Sequence, residues 1–194
     1  MFSLFRIQEK QILIGNILFI VCCSFYLAWW SLAFKPSGAI KGVKTGWLLI
    51  PAFIVGLSGV ILIVRGILAK THVKLLFPNG YIIWGGIAVY IILLVITVLL
   101  LKRQATSELL LIVGWGVLAL AEINALFGSG LFSHRLSAGL ILLICTAVLI
   151  SLICYILYYR LNGFAAYIDG MIPLILSALT VASISFFIVA GNCH

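Results

Sequence analysis

Long apolar runs alternate with short polar stretches along the whole chain. Each run is apolar on all faces of a helix, and each ends where basic residues, proline or glycine appear. A run of about 20 apolar residues is long enough to cross the hydrocarbon core of a bilayer as a helix. The runs predict six transmembrane spans, at about residues 12–34, 47–69, 81–101, 109–132, 136–159 and 171–191.

These spans are predicted to be helices that form one transmembrane domain over residues 1–194. Strands are excluded because the strands of a membrane barrel alternate apolar and polar residues, and these runs do not. Aromatic residues that prefer the membrane interface lie near several predicted ends, as Trp29, Trp47 and Tyr158 do. The connections are short, so sequence neighbours should pack antiparallel in an all-α, up-and-down bundle.

Composition supports the same class of protein. Of the 194 residues, 65% are hydrophobic and 8% are charged, against roughly a quarter charged in an ordinary soluble domain. The formal net charge is +8, and most basic residues flank the apolar runs, where lipid headgroups lie. The charges form no continuous basic face, which argues against a nucleic-acid partner. We expect membrane lipids as partners, in a plasma or inner membrane, with other membrane subunits or a second copy of the chain as further candidates.

The cysteines and histidines do not have the spacing of a metal site. Cys22 and Cys23 are adjacent within the first predicted span, and the chain has no Cys-x-x-Cys motif. No two histidines are expected to face each other across a pair of spans, which disfavours a transmembrane haem. No lysine lies within a predicted span to hold retinal as a Schiff base. The sequence therefore predicts no cofactor.

A short internal pattern allows a three-helix unit that occurs twice, as a 3+3 inverted repeat. A glutamate lies six residues ahead of a glycine at the start of the first and fourth spans, as Glu9 with Gly15 and Glu108 with Gly114. A tandem copy of a three-helix unit must be inverted, because an odd number of crossings leaves the chain on the opposite side. Such a repeat would explain why the basic residues divide six to six between the two sides, which leaves the orientation open. Six unrelated spans are the alternative.

Glu122 is the most informative single position. It lies near the middle of the fourth predicted span, where burying a carboxylate is costly unless it is paired, hydrogen-bonded or neutralised. Two interpretations follow: the protonated acid hydrogen-bonds to a neighbouring helix, or an aqueous cavity or cationic ligand reaches it. The second interpretation would make Glu122 part of a proton- or cation-responsive site.

Three polar residues are candidate companions of Glu122, namely Asn16, Ser58 and Asn124. Asn16 can donate a hydrogen bond to the Glu122 carboxyl if the first and fourth spans pack together. Asn124 lies about 200° around the helix from Glu122, so we expect the two side chains to contact different neighbours. A hydrogen bond between helices, without further function, is the simpler role for either asparagine.

Other polar residues are expected near lipid headgroups or in loops. Arg65 lies four residues inside the end of the second span, so its aliphatic stem can extend toward the headgroups. Lys35, Lys41 and Arg160 are assigned the same environment. Asp169 is predicted to precede the sixth helix and to stabilise its N-terminus, which would place the following proline in the first helical turn.

A serine and a histidine between the fourth and fifth spans permit a catalytic interpretation. Ser129 lies between two glycines, and His134 follows five residues later. A serine nucleophile would need its base at hydrogen-bond distance, and an oxyanion hole as well. A helix C-terminus followed by a turn explains the two glycines more simply.

Three functions stay open at this point. The leading hypothesis is a small membrane transporter or ligand-binding bundle with a polar site around Glu122. The second is an accessory or assembly subunit of a larger membrane complex, supported by the small number of polar groups. The third is an intramembrane or lipid-modifying enzyme, for which Ser129, His134, Asp169 and Arg160 are the candidate residues.

Overall fold

The computed structural model describes residues 7–34, 45–69, 75–100, 107–158 and 160–192. These residues form six long helices, and no strand occurs among them. In chain order the helices are α1 (Ile7–Ala33), α2 (Leu49–Leu68), α3 (Asn79–Val95), α4 (Ser107–Gly128), α5 (His134–Tyr158) and α6 (Phe164–Gly191). A short 3-10 turn (Thr45–Leu48) leads into α2, and a π-helical turn (Ile96–Leu100) continues α3.

The predicted all-α bundle of six spans is confirmed, since six helices are long and apolar enough to cross a membrane. The chain is therefore a multi-pass membrane protein. The largest boundary error is at α6, which begins at Phe164 rather than near residue 171. A smaller error is at α1, which begins at Ile7 rather than near residue 12. At α1 the helix continues through the buried polar residues Gln8 and Glu9, whereas at α6 the aspartate and proline that are typical of a helix start lie inside the helix.

Helix α4 lies at the centre of the bundle and α3 at its periphery. In α4, 61% of the most apolar 18-residue stretch is buried inside the protein, against 6% in α3. The main core cluster joins α1, α4, α5 and α6 through fully buried aliphatic side chains such as Ile12, Ile123, Ile144 and Ile184. The groups that α4 carries are therefore the ones most enclosed by protein rather than by lipid.

Glycine allows α1 and α2 to approach until their backbones touch. A Cβ atom added to Gly59 would lie 2.9 Å from the carbonyl oxygen of Gly15, and one added to Gly15 would lie 2.8 Å from the carbonyl oxygen of Gly59. Small residues commonly form such contacts between helices in membranes, where packing rather than the hydrophobic effect holds helices together.

The inverted repeat stays a prediction. Gly15 and Gly114 would be equivalent positions in the two copies, yet their surroundings differ. Gly15 lies against the backbone of α2, whereas a Cβ atom added to Gly114 would meet nothing within 4 Å among the described atoms. The matched glycines therefore do not perform the same packing role in the two halves.

The α1–α2 contact predicts that Gly59→Ala destabilises the protein. The new methyl group would overlap backbone atoms of α1 that cannot rotate away, and overpacking of this kind typically costs about 1–3 kcal/mol. The measurement is the free energy of unfolding in mixed micelles.

Gly85→Ala is the matched control, because a Cβ atom at Gly85 meets nothing within 4 Å. It should leave the free energy unchanged or raise it slightly, since alanine is the better helix former. Equal effects of the two substitutions would contradict the close approach of α1 and α2.

Candidate functional site

A cavity of about 510 Å³ opens between α1, α4, α5 and α6, with α2 contributing Val60. Along α1 its lining runs from Phe19 to Trp30, a distance of about 16 Å at the helical rise per residue. These parts of α1 and α5 are C-terminal, and the parts of α4 and α6 are N-terminal, so the cavity occupies one end of the antiparallel bundle. The residues with polar or aromatic side chains in its lining are Phe19, Cys22, Cys23, Tyr26, Trp30, Glu108, Trp115, Cys154, Tyr155, Tyr158, Asp169 and Ser177.

Glu122 and Asn16 are joined directly, as the sequence allowed. The Asn16 amide donates a hydrogen bond of 2.5 Å from Nδ2 to Oε1 of Glu122. Glu122 is 1% exposed and Asn16 is fully buried, among the aliphatic side chains of the core. The bond connects α1 to α4 in a bilayer environment that offers no competing partner.

The cavity does not extend to this bond. Its deepest lining residues on the two helices are Phe19 of α1 and Leu118 of α4, which lie about one helical turn from Asn16 and Glu122. The expectation that Glu122 lines a polar site is therefore not supported by the geometry of the cavity. The arrangement matches the other interpretation, a hydrogen bond that holds two helices together.

Asn124 serves a different neighbour from Glu122, as its position around the helix predicted. Its Oδ1 accepts a 3.2 Å hydrogen bond from the backbone N–H of Phe77, and its Nδ2 donates a 2.7 Å bond to the Phe77 carbonyl oxygen. Both backbone groups of Phe77, just ahead of α3, are thereby satisfied. Asn124 therefore attaches the peripheral helix to the central one.

Three further predicted site residues, Ser58, Arg65 and Arg160, are not part of the cavity lining. Ser58 is exposed on α2, and no contact in the part of the chain that the structure describes joins it to Glu122. Arg65 and Arg160 are exposed near the ends of α2 and α5, which suits the headgroup environment predicted for them. Lys35 and Lys41 lie outside the described residues.

Asp169 requires the largest correction. It was predicted to cap the N-terminus of the sixth helix, but it lies inside α6, five residues after Phe164, and is 6% exposed. The N-cap position is occupied by Gly163, whose φ of 59° is in the left-handed region that favours glycine. Asp169 instead lines the cavity, where its carboxyl is hydrogen-bonded to the Cys154 thiol. Its Oδ2 atom is buried without a hydrogen-bond partner among the described residues.

Proline 173 changes the backbone beside Asp169. Pro173 was expected in the first turn of the sixth helix, but it lies in the interior of α6 and lines the same cavity. Proline has no N–H group, so it cannot donate the hydrogen bond that the carbonyl oxygen of Asp169 would accept in a regular helix. The backbone carbonyl oxygen of Asp169, a residue that lines the cavity, therefore lacks its usual helical donor.

Two tryptophans shape the cavity. Trp30 donates a 3.1 Å hydrogen bond from Nε1 to the backbone oxygen of Tyr167, and its ring lies so close to Gly170 that a Cβ atom there would overlap it. Gly170 is therefore the residue that lets an aromatic ring lie flat against α6 beside Asp169. Trp115 is 8% exposed, and its Nε1 is a buried donor without a partner among the described residues.

Ser129 and His134 form a turn, in line with the simpler interpretation of the sequence. Helix α4 ends at Gly128, and Gly130 has a φ of 80°, which a glycine adopts easily. The Ser129 hydroxyl donates a 2.8 Å hydrogen bond to the Leu126 carbonyl oxygen. His134 begins α5 with an exposed side chain. This geometry gives a carbonyl oxygen at the C-terminus of α4 a hydrogen-bond donor, and it does not favour a catalytic pair.

Sequence reasoning missed most of this site, including Glu108, Trp115 and Tyr26. Aromatic residues near the ends of spans were interpreted as interface residues, which is their commonest role. A usable signal was present in their spacing. On α1, Cys22, Tyr26 and Trp30 recur every four residues and therefore share one face.

No group of three or more His, Cys, Asp or Glu side chains that could hold a metal occurs in the part of the chain that the structure describes. The chain matches no known family model, and no curated protein or solved structure is significantly similar to it.

The Asn16–Glu122 bond predicts that Asn16→Leu destabilises the protein. The substitution leaves a fully buried carboxyl group without its donor, and such an orphaned group typically costs about 1–3 kcal/mol. Glu122→Gln keeps an acceptor for the Asn16 amide and should retain the stability of the wild type. The measurement is again the free energy of unfolding in mixed micelles.

A double variant tests whether the two residues act as a pair. Asn16→Leu combined with Glu122→Leu removes both polar groups, so it should be less destabilised than the sum of the two single variants. Additive effects would show that the two side chains stabilise the bundle independently.

Proposed function

We propose that this protein binds a small, largely apolar molecule inside the membrane, as a ligand-binding protein or small transporter of the plasma or inner membrane. The observation that carries the proposal is the cavity between α1, α4, α5 and α6. Its volume of about 510 Å³ falls within the range of roughly 300–1,000 Å³ that is typical of small-molecule sites. Its lining is mostly apolar and aromatic with a few polar groups, which is also typical of such sites.

The polar atoms of the lining favour a ligand with a polar group, rather than a lipid acyl chain, as the occupant of the cavity. Asp169 Oδ2 and Trp115 Nε1 are buried in the lining without protein partners among the described residues. Buried polar groups in proteins are nearly always hydrogen-bonded, because leaving one unpaired costs free energy. A lipid acyl chain has no hydrogen-bonding groups and cannot satisfy either atom. A molecule with its own polar group can.

Two further features favour transport over simple binding. The cavity ends at one side of the packed core that contains the Asn16–Glu122 bond, so it occupies one end of the bundle. Helix α6 is continuous but carries Pro173 in its interior, within the cavity wall, where the missing N–H group removes one backbone hydrogen bond and leaves a point at which the helix can bend. A carrier requires a site that is open to one side at a time, together with an element that can rearrange.

The proposal predicts that filling the cavity abolishes binding. Gly114 lines the cavity, and a Cβ atom there meets nothing within 4 Å, so Gly114→Phe should place a ring in the empty space without overlapping the backbone. The protein is reconstituted in phosphatidylcholine nanodiscs, and saturable binding of tritiated decanol is measured against empty nanodiscs. Wild-type protein should bind the probe saturably, and Gly114→Phe should not.

Gly85→Phe is the matched control, since Gly85 has an equally open position on the exposed face of α3. It should bind decanol like the wild type. Loss of binding in both variants would assign the effect to misfolding or to the nanodisc. Undiminished binding in Gly114→Phe would reject the cavity as the site.

A second candidate is an accessory subunit of a larger membrane complex, and the exposure of α3 favours it. Only 6% of the apolar stretch of α3 is buried in the protein, and Tyr81 and Trp84 are 73% and 70% exposed. Large aromatic residues are enriched at protein interfaces as well as at membrane interfaces.

If this candidate is right, mild-detergent extracts from the native membrane should contain the chain in a complex that Trp84→Ala weakens. A single species of one chain would argue against it.

A further inference from the structure

We infer that the ligand of the cavity is a lipophilic cation, an ammonium group attached to one apolar chain. This inference rests on the proposed function, because it assigns a chemical class to the molecule that the cavity binds. It is carried by the charge of the lining, the unpaired acceptor of Asp169 and the aromatic rings that surround it.

The charge of the lining is opposite to that of the chain. The protein has a formal net charge of +8 and contains four acidic residues, yet two of the four, Glu108 and Asp169, line the cavity. None of the described lining residues is lysine, arginine or histidine. Two acids without a basic neighbour in a low-dielectric wall attract a cation and repel an anion.

Asp169 offers the hydrogen-bond geometry that an ammonium group requires. An ammonium carries up to three donors and no acceptor. The buried Oδ2 atom of Asp169 has no partner among the described residues, and Pro173 withholds the usual donor from the Asp169 backbone carbonyl. A bound ammonium would donate to the Oδ2 atom and would compensate the buried carboxylate, which a neutral ligand cannot do.

Aromatic rings complete the environment. Tyr26, Trp30 and Tyr158 line the same end of the cavity as the two acids, and the ring centroids of Trp30 and Tyr158 are 6.0 Å apart. The faces of such rings attract cations, most strongly where water is excluded. The apolar chain of the ligand would extend past Trp115 toward Phe19 and Leu118, which form the deep end of the lining.

The test compares three probes that share one alkyl chain and differ in the charge of the head group: decylammonium, decanol and decanoate. Each is tritiated, and its saturable binding to the protein in phosphatidylcholine nanodiscs is measured against empty nanodiscs. Decylammonium should bind about tenfold tighter than decanol or more, as expected for a charge-assisted hydrogen bond combined with a cation–π contact. Decanoate should bind more weakly than decanol.

Substitutions of the two acids show which carboxylate causes the preference for decylammonium over decanol. Asp169→Asn should lower the affinity for decylammonium about tenfold and leave the affinity for decanol unchanged, which also shows that the variant is folded. Glu108→Gln should have a smaller effect of the same kind, because Glu108 is only half-buried. Glu122→Gln is the control, since Glu122 lies outside the cavity, and it should leave both affinities unchanged.

The outcomes separate the two proposals. If decanol binds as tightly as decylammonium, or if Asp169→Asn weakens both probes equally, the cationic class is wrong, while the cavity remains a binding site. If none of the three probes binds saturably to the wild type, the proposed function itself is rejected. A preference for decylammonium that Asp169→Asn leaves intact would overturn the role of this carboxylate.

Discussion

In a lipid environment every buried polar group has to find its partner within the protein, because the surrounding hydrocarbon offers none. The hydrogen bond between Asn16 and Glu122 meets this requirement deep in the bundle. Because these side chains project from α1 and α4, satisfying them fixes the two helices at one depth relative to each other. The α1–α4 pair then defines both the packed core below the bond and the space above it. A misplaced α1 would leave a buried acid unpaired, so this single interaction selects one arrangement of the helices.

The same requirement is met differently at the two ends of the bundle. At one end, Asn124 pairs with both backbone groups of Phe77 and anchors the start of α3. At the other end, polar atoms of Asp169 and Trp115 have no such partner among the described residues. The Oδ1 atom of Asn16 also has no partner among the described residues, but Asn16 lies outside the cavity lining, whereas Asp169 and Trp115 are part of it. From the sequence alone, the free-energy cost of burying a carboxyl group in a span is the same whether the group has a structural or a ligand-binding role. Only its neighbours in the structure distinguish the two roles.

The fold was predictable from the sequence because length and composition decide it. Apolar runs long enough to cross a bilayer have to be helical, and the structure contains all six. The hydrogen bond between Asn16 and Glu122 could also be predicted, because polar side chains in otherwise apolar spans tend to hydrogen-bond to each other. The start of α6 was not predictable, because Asp169, Gly170 and Pro173 together match the pattern of a helix that begins near residue 171. The cavity was not predictable either, because it depends on how four helices pack and on glycines such as Gly170, whose role appears only beside the Trp30 ring.

The proline within α6 has a mechanical consequence. It lies just beyond the first two turns of the helix, which carry the carboxylate and the glycine against which the Trp30 ring rests. With one backbone hydrogen bond missing at this point, these turns are joined to the rest of α6 more weakly than any regular helical segment of the same length. They can tilt as one unit at a smaller energetic cost, and the tilt would carry an acid and an aromatic wall toward or away from the other three helices. The wall of the cavity that holds its most polar residue is also the wall best able to move.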